Sequence, residues 1–200
     1  MSTTKSKTKE KVIPQKLQAC RDAFDYMIKM SMDRIQKGGS VEGEFVATVF
    51  LPNETSLTVI PVPLANTVDA DQRREIMRLT GEDIAEQGAD AFVFMFIAEA
   101  WASVQKRNGK YVRPVNDPKR KEVFLASGQD KTGCVRNMSY EIKRKSTGIE
   151  FTKIDLFGKS QKKFSHTWTN PKEDDRLKTE NSLTEEAWIA YKKKIKELKP

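Results

Sequence analysis

The chain of 200 residues carries 36 Lys and Arg against 28 Asp and Glu, with one His, two Cys, 38% hydrophobic and 8% aromatic residues. Such a length buries roughly 70% of the unfolded chain's surface, and such a composition excludes an integral membrane protein, a collagen-like chain and a wholly disordered one. A lone histidine (His166) and two cysteines leave no set for a multi-histidine zinc site or an HExxH protease, so no metal and no cofactor are expected.

Residues 1–12 are almost free of apolar side chains and read as a mobile basic tail. Pro14 then opens a helix to about residue 37. Leu17, Cys20, Phe24, Met27, Ile28 and Ile35 make its apolar stripe, and Gly38-Gly39 stops it. Two strands follow, 44–51 and 56–64, joined by a Pro52–Thr55 turn; Pro61 and Pro63 put the second at a sheet edge. Residues 69–88 read as a charged helix capped by Thr67 or Asp69, with a break near Thr80-Gly81.

The run Ala91–Trp101 is apolar on both faces, Phe92, Phe94 and Phe96 on one and Val93, Met95 and Ile97 on the other, which predicts a central strand. A polar loop over 103–119 leads to strands at 122–127, 133–143 and 148–157, with turns at 128–131 and 146–148. The sheet is expected to bury Phe45, Val49, Val59, Phe94, Phe96, Val123, Leu125, Met138 and Tyr140.

Helices at the start and between strands, with no crossover helices later, indicate an α+β fold: two helices on a mostly antiparallel sheet of five to six strands. The expected organisation is one domain over 13–158, an extended arm over 159–181 and an amphipathic helix over 182–200. Ser182-Leu-Thr-Glu185 is a capping box for that helix, and Trp188, Tyr191, Ile195 and Leu198 mark its apolar stripe. Too short to stand alone, it docks on its own domain, meets a partner or second copy reached by the arm, or lies at a membrane surface.

Several catalytic motifs fail. Gly158-Lys159-Ser160 lacks the glycine five positions earlier that a phosphate loop needs, and Lys131-Thr132-Gly133 has its SxxK companion, Ser2-Thr-Thr-Lys5, in the basic tail and no SDN. Glu99 is the residue that asks for an explanation: it shares the face of Val93, Met95 and Ile97 at the end of the central strand, where a carboxylate is partly desolvated. Asp117, Arg120 and Glu122 lie nearby in the chain, so an ion pair from Arg120 to Glu99 or Glu122 is expected to close this end of the sheet. The same four residues would form the polar cluster of a small enzyme or ligand-binding domain.

Glu99-Ala-Trp101, then Asp117-Pro-Lys-Arg120 and Glu122-Val-Phe-Leu125, resembles a group of small bacterial and phage proteins over residues 90–145. The resemblance implies a prokaryotic or viral setting and emphasis on Glu99, Trp101, Arg120 and Glu122. It implies no activity.

Charge supplies the remaining candidates. Residues 1–40 hold nine cations against four anions, 41–105 three against eleven, and 106–200 twenty-four against thirteen. Lys106, Arg107, Lys110, Tyr111, Arg113, Lys119, Arg120 and Lys121 gather in one loop, Lys143, Arg144 and Lys145 end a strand, and Lys162, Lys163, Phe164 and Trp168 interleave cations with aromatics. Cations beside aromatics track phosphates while stacking bases. The leading expectation is therefore a non-enzymatic cytoplasmic accessory protein of prokaryotic or phage type. It binds nucleic acid or an acidic protein, a homo-oligomer through 159–200 is an option, and no membrane span is expected.

Overall fold

Pro14, with its fixed φ, starts the first helix, α1 (Gln15–Gln36). Gly38 takes φ +83°, its N–H reaches the carbonyl of Ile35, and the N–H of Gly39 reaches that of Arg34. This is a Schellman stop, available because glycine tolerates the left-handed region. The computed structural model describes residues 13–41, 43–62, 69–103, 106–107, 110–111, 113–154, 168–169 and 183–199. The tail at 1–12, Lys162, Lys163, Phe164, Ser182 and nearly all of 159–181 lie outside the described residues, as do the side chains of Lys106, Arg107, Lys110 and Tyr111.

The remaining elements, in order, are β1 (Glu44–Phe50), β2 (Thr58–Val62), α2 (Ala70–Glu86), β3 (Ala91–Ala102), β4 (Lys106–Arg107) and β5 (Lys110–Tyr111). A single 3-10 turn (Pro114–Asn116), β6 (Lys121–Asp130), β7 (Val135–Lys145), β8 (Gly148–Lys153) and α3 (Leu183–Glu197) complete the chain. Six strands form one antiparallel sheet in the order β2-β1-β3-β6-β7-β8, and β4-β5 form a separate two-stranded ribbon. The fold is α+β, with β3 inside the sheet as its apolar run predicts.

Alternation along the strands sends two apolar sets to opposite faces. Val93, Met95 and Ile97 join Phe124, Ala126 and Met138 beneath α1, which contributes Leu17, Cys20, Phe24, Ile28 and Ile35. Phe92 and Phe94 join Phe45, Ala47 and Val49 on the other face, beneath Met77 and Ile84 of α2 and Ala187 and Tyr191 of α3. The sheet is thus sandwiched between helices.

Some expectations are corrected. Strand β2 begins at Thr58 rather than Ser56, and Val59 is 51% exposed because it lies on the α1 side of an edge strand. Phe96, Leu125 and Tyr140 are half-buried, whereas Phe45, Val49, Phe94, Val123 and Met138 are buried. The predicted turn at 128–131 is strand through Asp130: Gly128 stands where a Cβ would come 2.9 Å from Trp168 and 3.2 Å from Phe24, so the glycine marks close packing. Helix α2 runs through Thr80-Gly81 unbroken, and a Cβ on Gly81 would stand 2.0 Å from the carbonyl oxygen of Ala187. That glycine lets α3 approach.

Helix α3 packs on α2 and on the sheet of its own chain. Its inward stripe is Thr184, Ala187, Trp188, Tyr191 and Ile195, while Leu198, just past the last turn, is exposed. Tyr191 meets Phe92 edge-on at 4.5 Å. Trp168, a candidate binding aromatic on the expected extended arm, is half-buried against the α1-side core, 5.5 Å from the Phe24 ring and 4.9 Å from the Arg21 guanidinium. Thr169 holds it there through backbone bonds to Val135.

Candidate nucleic-acid interface

The far end of β3 brings the emphasised residues together. In register, Trp101 stands opposite Glu122 and Glu99 opposite Phe124, so Glu99, Trp101 and Glu122 share one sheet face. Arg144 arrives on that face from β7, at the parity of Met138, Tyr140 and Ile142. Its Nε donates to both oxygens of Glu122 at 3.0 Å, and one Nη donates to Glu99 Oε1 at 3.0 Å and to Glu122.

One guanidinium therefore serves two carboxylates. Glu99 Oε2 is buried with no hydrogen-bond partner, and its neighbour is the carboxylate of Glu122, which becomes a partner only when one of the two holds a proton. Burial, then the charge and contact of Glu122, push the Glu99 carboxyl above its ordinary range. Arg144 holds Glu122 below it. The two carboxylates are pushed in opposite directions, and Arg144 bridges them.

The structure divides the four residues grouped from the sequence. Glu99 and Glu122 meet, but their cation is Arg144 rather than Arg120. Arg120 falls just before β6, where its N–H bonds the carbonyl of Asp117, and its guanidinium lies 4.7 Å over the Trp101 ring. Asp117 is buried and organises its own loop, accepting from the Ser103 hydroxyl and, at 2.8 Å, from the Lys119 N–H. The sequence groups Arg144 with Lys143 and Lys145 as a candidate binding cation; the signal that pairs it with the carboxylates is the alternation Met138, Tyr140, Ile142, Arg144 along β7.

The basic candidates fall into two groups. Lys121 bonds Glu141 at 3.0 Å, Lys145 bonds Glu150 at 2.7 Å, and Lys143 stands 4.0 Å from Glu141, so with Arg144 these cations face carboxylates of their own sheet. Arg113 and Lys119 are exposed, and among the described residues neither meets a carboxylate. They follow the β4-β5 ribbon, whose register sets Lys106 opposite Tyr111 and Arg107 opposite Lys110. Three residues separate that ribbon from the end of β3. Trp101 is 52% exposed beneath Arg120, a π surface that the sequence emphasised only through resemblance. Among the described residues no three His, Cys, Asp or Glu gather as metal ligands, and no helix is long and apolar enough to cross a membrane.

Fold and corner together define a small α+β protein with one antiparallel sheet clad by helices on both faces and an aromatic, basic end. The family model for bacteriophage lambda protein ea47 matches residues 8–180, and the chain belongs to that family, a phage-type setting as the resemblance over 90–145 implies. No curated protein and no solved structure matches it.

Proposed function

We propose that this phage-type accessory protein binds single-stranded nucleic acid at the β3 end of its sheet. Trp101 is the stacking platform, and Arg113, Lys119, Arg120 and the Lys106, Arg107 and Lys110 ribbon are the phosphate-tracking cations. The observation that carries the reading is the exposed Trp101 ring with Arg120 over it, beside Arg113 and Lys119, which meet no carboxylate among the described residues. An exposed indole stacks any base, and unpaired Lys and Arg supply the counterion-releasing contacts. The cations at 121 and 143–145 have carboxylates already and add less.

The test is binding of labelled DNA and RNA strands over a salt series. Wild type binds with an affinity that falls steeply with salt. Trp101→Ala costs about 1–3 kcal/mol, the value of one stacked base, and Arg113→Gln with Lys119→Gln lowers the slope of log K against log salt by about 1.4. Lys143→Gln with Lys145→Gln changes either quantity less. Absence of binding to any strand at about 50 mM salt overturns the reading, and retained binding to an acidic protein surface alone reassigns the corner to a protein partner.

A further inference from the structure

Helix α3 has a second face that its docking does not use. Its inward stripe is spent on its own chain: Ala187 lies against Gly81, Trp188 over Gly133, and Tyr191 against Phe92. Lys194 is taken by Glu86 at 2.6 Å. Lys192, Lys193, Lys196 and Lys199 are exposed, and among the described residues none of them meets a carboxylate within ion-pair distance; Lys192 stands 5.7 Å over the Trp188 ring. Lys192 and Lys196 share one line of the helix, Lys193 lies beside it on the outward side, and Lys199 follows the helix end at Glu197, so together they make a broad basic stripe.

The neighbouring helix shows the contrast. In α2, Arg78 holds Glu75 and Glu82, and Arg74 lies 3.7 Å from Asp71, so its charges largely answer one another. In α3 the like charges at i,i+4 and i,i+3, Lys192 with Lys196 and Lys193 with Lys196, repel along the helix. The helix dipole favours cations at this end and offsets part of that repulsion. It does not require four of them unpaired.

We infer that this lysine stripe is a second contact for the phosphate backbone of the same nucleic acid strand, an inference that rests on the reading of the Trp101 corner. A phosphate backbone asks only for unpaired, exposed cations. Insertion into a lipid surface needs an apolar face as well, and α3 has committed most of its apolar side chains to α2 and the sheet, leaving Ile189 exposed on the helix. The stripe stands at the opposite end of the sheet from the platform. Tyr191 packs on Phe92 and Lys194 pairs with Glu86, whereas Trp101 lies nine residues further along β3, roughly 30 Å at strand rise. A strand that reaches both ends makes its second contact intramolecularly, at raised effective concentration, and a short one does not.

The experiment uses the full chain and oligo-dT strands of two lengths, about 6 nucleotides, within the span of one stacking site, and about 30. Wild type, Trp101→Ala and the triple substitution Lys192→Gln, Lys193→Gln, Lys196→Gln are titrated over salt, with circular dichroism to check that the helices persist. The triple variant is expected to bind the long strand with a slope of log K against log salt shallower by about 2, near 0.7 per phosphate contact, and to bind the short strand as wild type does. An unchanged slope on the long strand, or an equal loss on both lengths, overturns the inference while leaving the Trp101 reading intact if Trp101→Ala still weakens both. Failure of wild type to bind either strand removes that reading and this one together. Lysine-dependent binding to phosphatidylglycerol vesicles, with neither strand bound, assigns the stripe to a lipid surface and also overturns it.

Discussion

At the end of β3 two carboxylates compete for one guanidinium, and the outcome depends on pH in a direction that can be worked out. Glu99 holds its proton more tightly in the folded chain than in the unfolded one, because burial and Glu122 both oppose its charge. Its ionisation therefore costs stability as pH rises from the ordinary carboxylate value through the raised one. Glu122, lowered by Arg144, runs the other way: it adds stability above the ordinary value and loses it as pH falls through the lowered one. Glu99→Gln removes the first effect and leaves Arg144, the main cause of the second, in place. In urea denaturation the variant should gain on wild type as pH rises above the ordinary carboxylate value, and a stability difference that stays flat from there to neutral pH would sink this account. Arg144→Ala leaves both carboxylates without their cation and should cost about 1–3 kcal/mol near neutral pH, with a smaller loss in acid, where the protonated pair needs no guanidinium. The partnership was hidden in the sequence for a physical reason. Arg144 stands 22 residues from Glu122 and 45 from Glu99, so it becomes a neighbour only through the β6-β7 register, while Arg120, near in the chain, falls in a turn and faces the indole.

Between elements, two contacts settle how the helices attach. Arg21 of α1 donates through Nε and Nη to Asp130 at the end of β6, and both side chains are buried. The other oxygen of Asp130 accepts from the Thr132 N–H, the Thr132 hydroxyl and the Cys134 N–H, so one carboxylate ties α1 to the β6-β7 turn. Arg21→Ala leaves that carboxylate buried without its cation and should cost about 3–5 kcal/mol by chemical denaturation; a loss below about 1 kcal/mol, the range of an exposed pair, would show that water replaces the guanidinium. The second contact is the crossing of α2 and α3 at Gly81. Helix propensity alone makes Gly81→Ala favourable by about 1 kcal/mol, but the added carbon would sit 2.0 Å from the Ala187 carbonyl oxygen. Overpacking costs about 1–3 kcal/mol, so the variant should melt lower than wild type. A higher melting temperature would mean that α3 moves aside freely. The expected break at Thr80-Gly81 was a misreading with a clear origin: a glycine inside a helical pattern signals a stop or a close neighbour, and only the partner helix, more than a hundred residues later, distinguishes them.

For the whole molecule, what was legible followed from periodicity. The α1 stripe, the two-faced β3 and the antiparallel order are visible because alternation and 3.6-residue spacing need no distant partner. Trp168 was not: its segment has no period, and it is held at the α1-side core by the backbone bridge of Val135 to Thr169. Helix α3 was legible as an amphipathic segment but not in its destination. The structure seats it on its own chain, with Tyr191 edge-on to Phe92 at 4.5 Å and Lys194 on Glu86. Those contacts cap the phenylalanine face of the sheet, so the helix and the sheet should melt as one unit. Truncating a buried aromatic costs about 3–5 kcal/mol, and in a chain of this size each kcal/mol lowers Tm by about 2–4 °C. Tyr191→Ala should therefore lower Tm by roughly 10 °C in a single transition, seen alike by helix circular dichroism and by tryptophan fluorescence, with the mass in solution unchanged. If α3 instead belonged to a neighbouring copy, the same substitution would weaken an association, and both the mass and Tm would become dependent on protein concentration. A transition that splits, with α3 unfolding well before the sheet, would show that the helix rests on the core without supporting it.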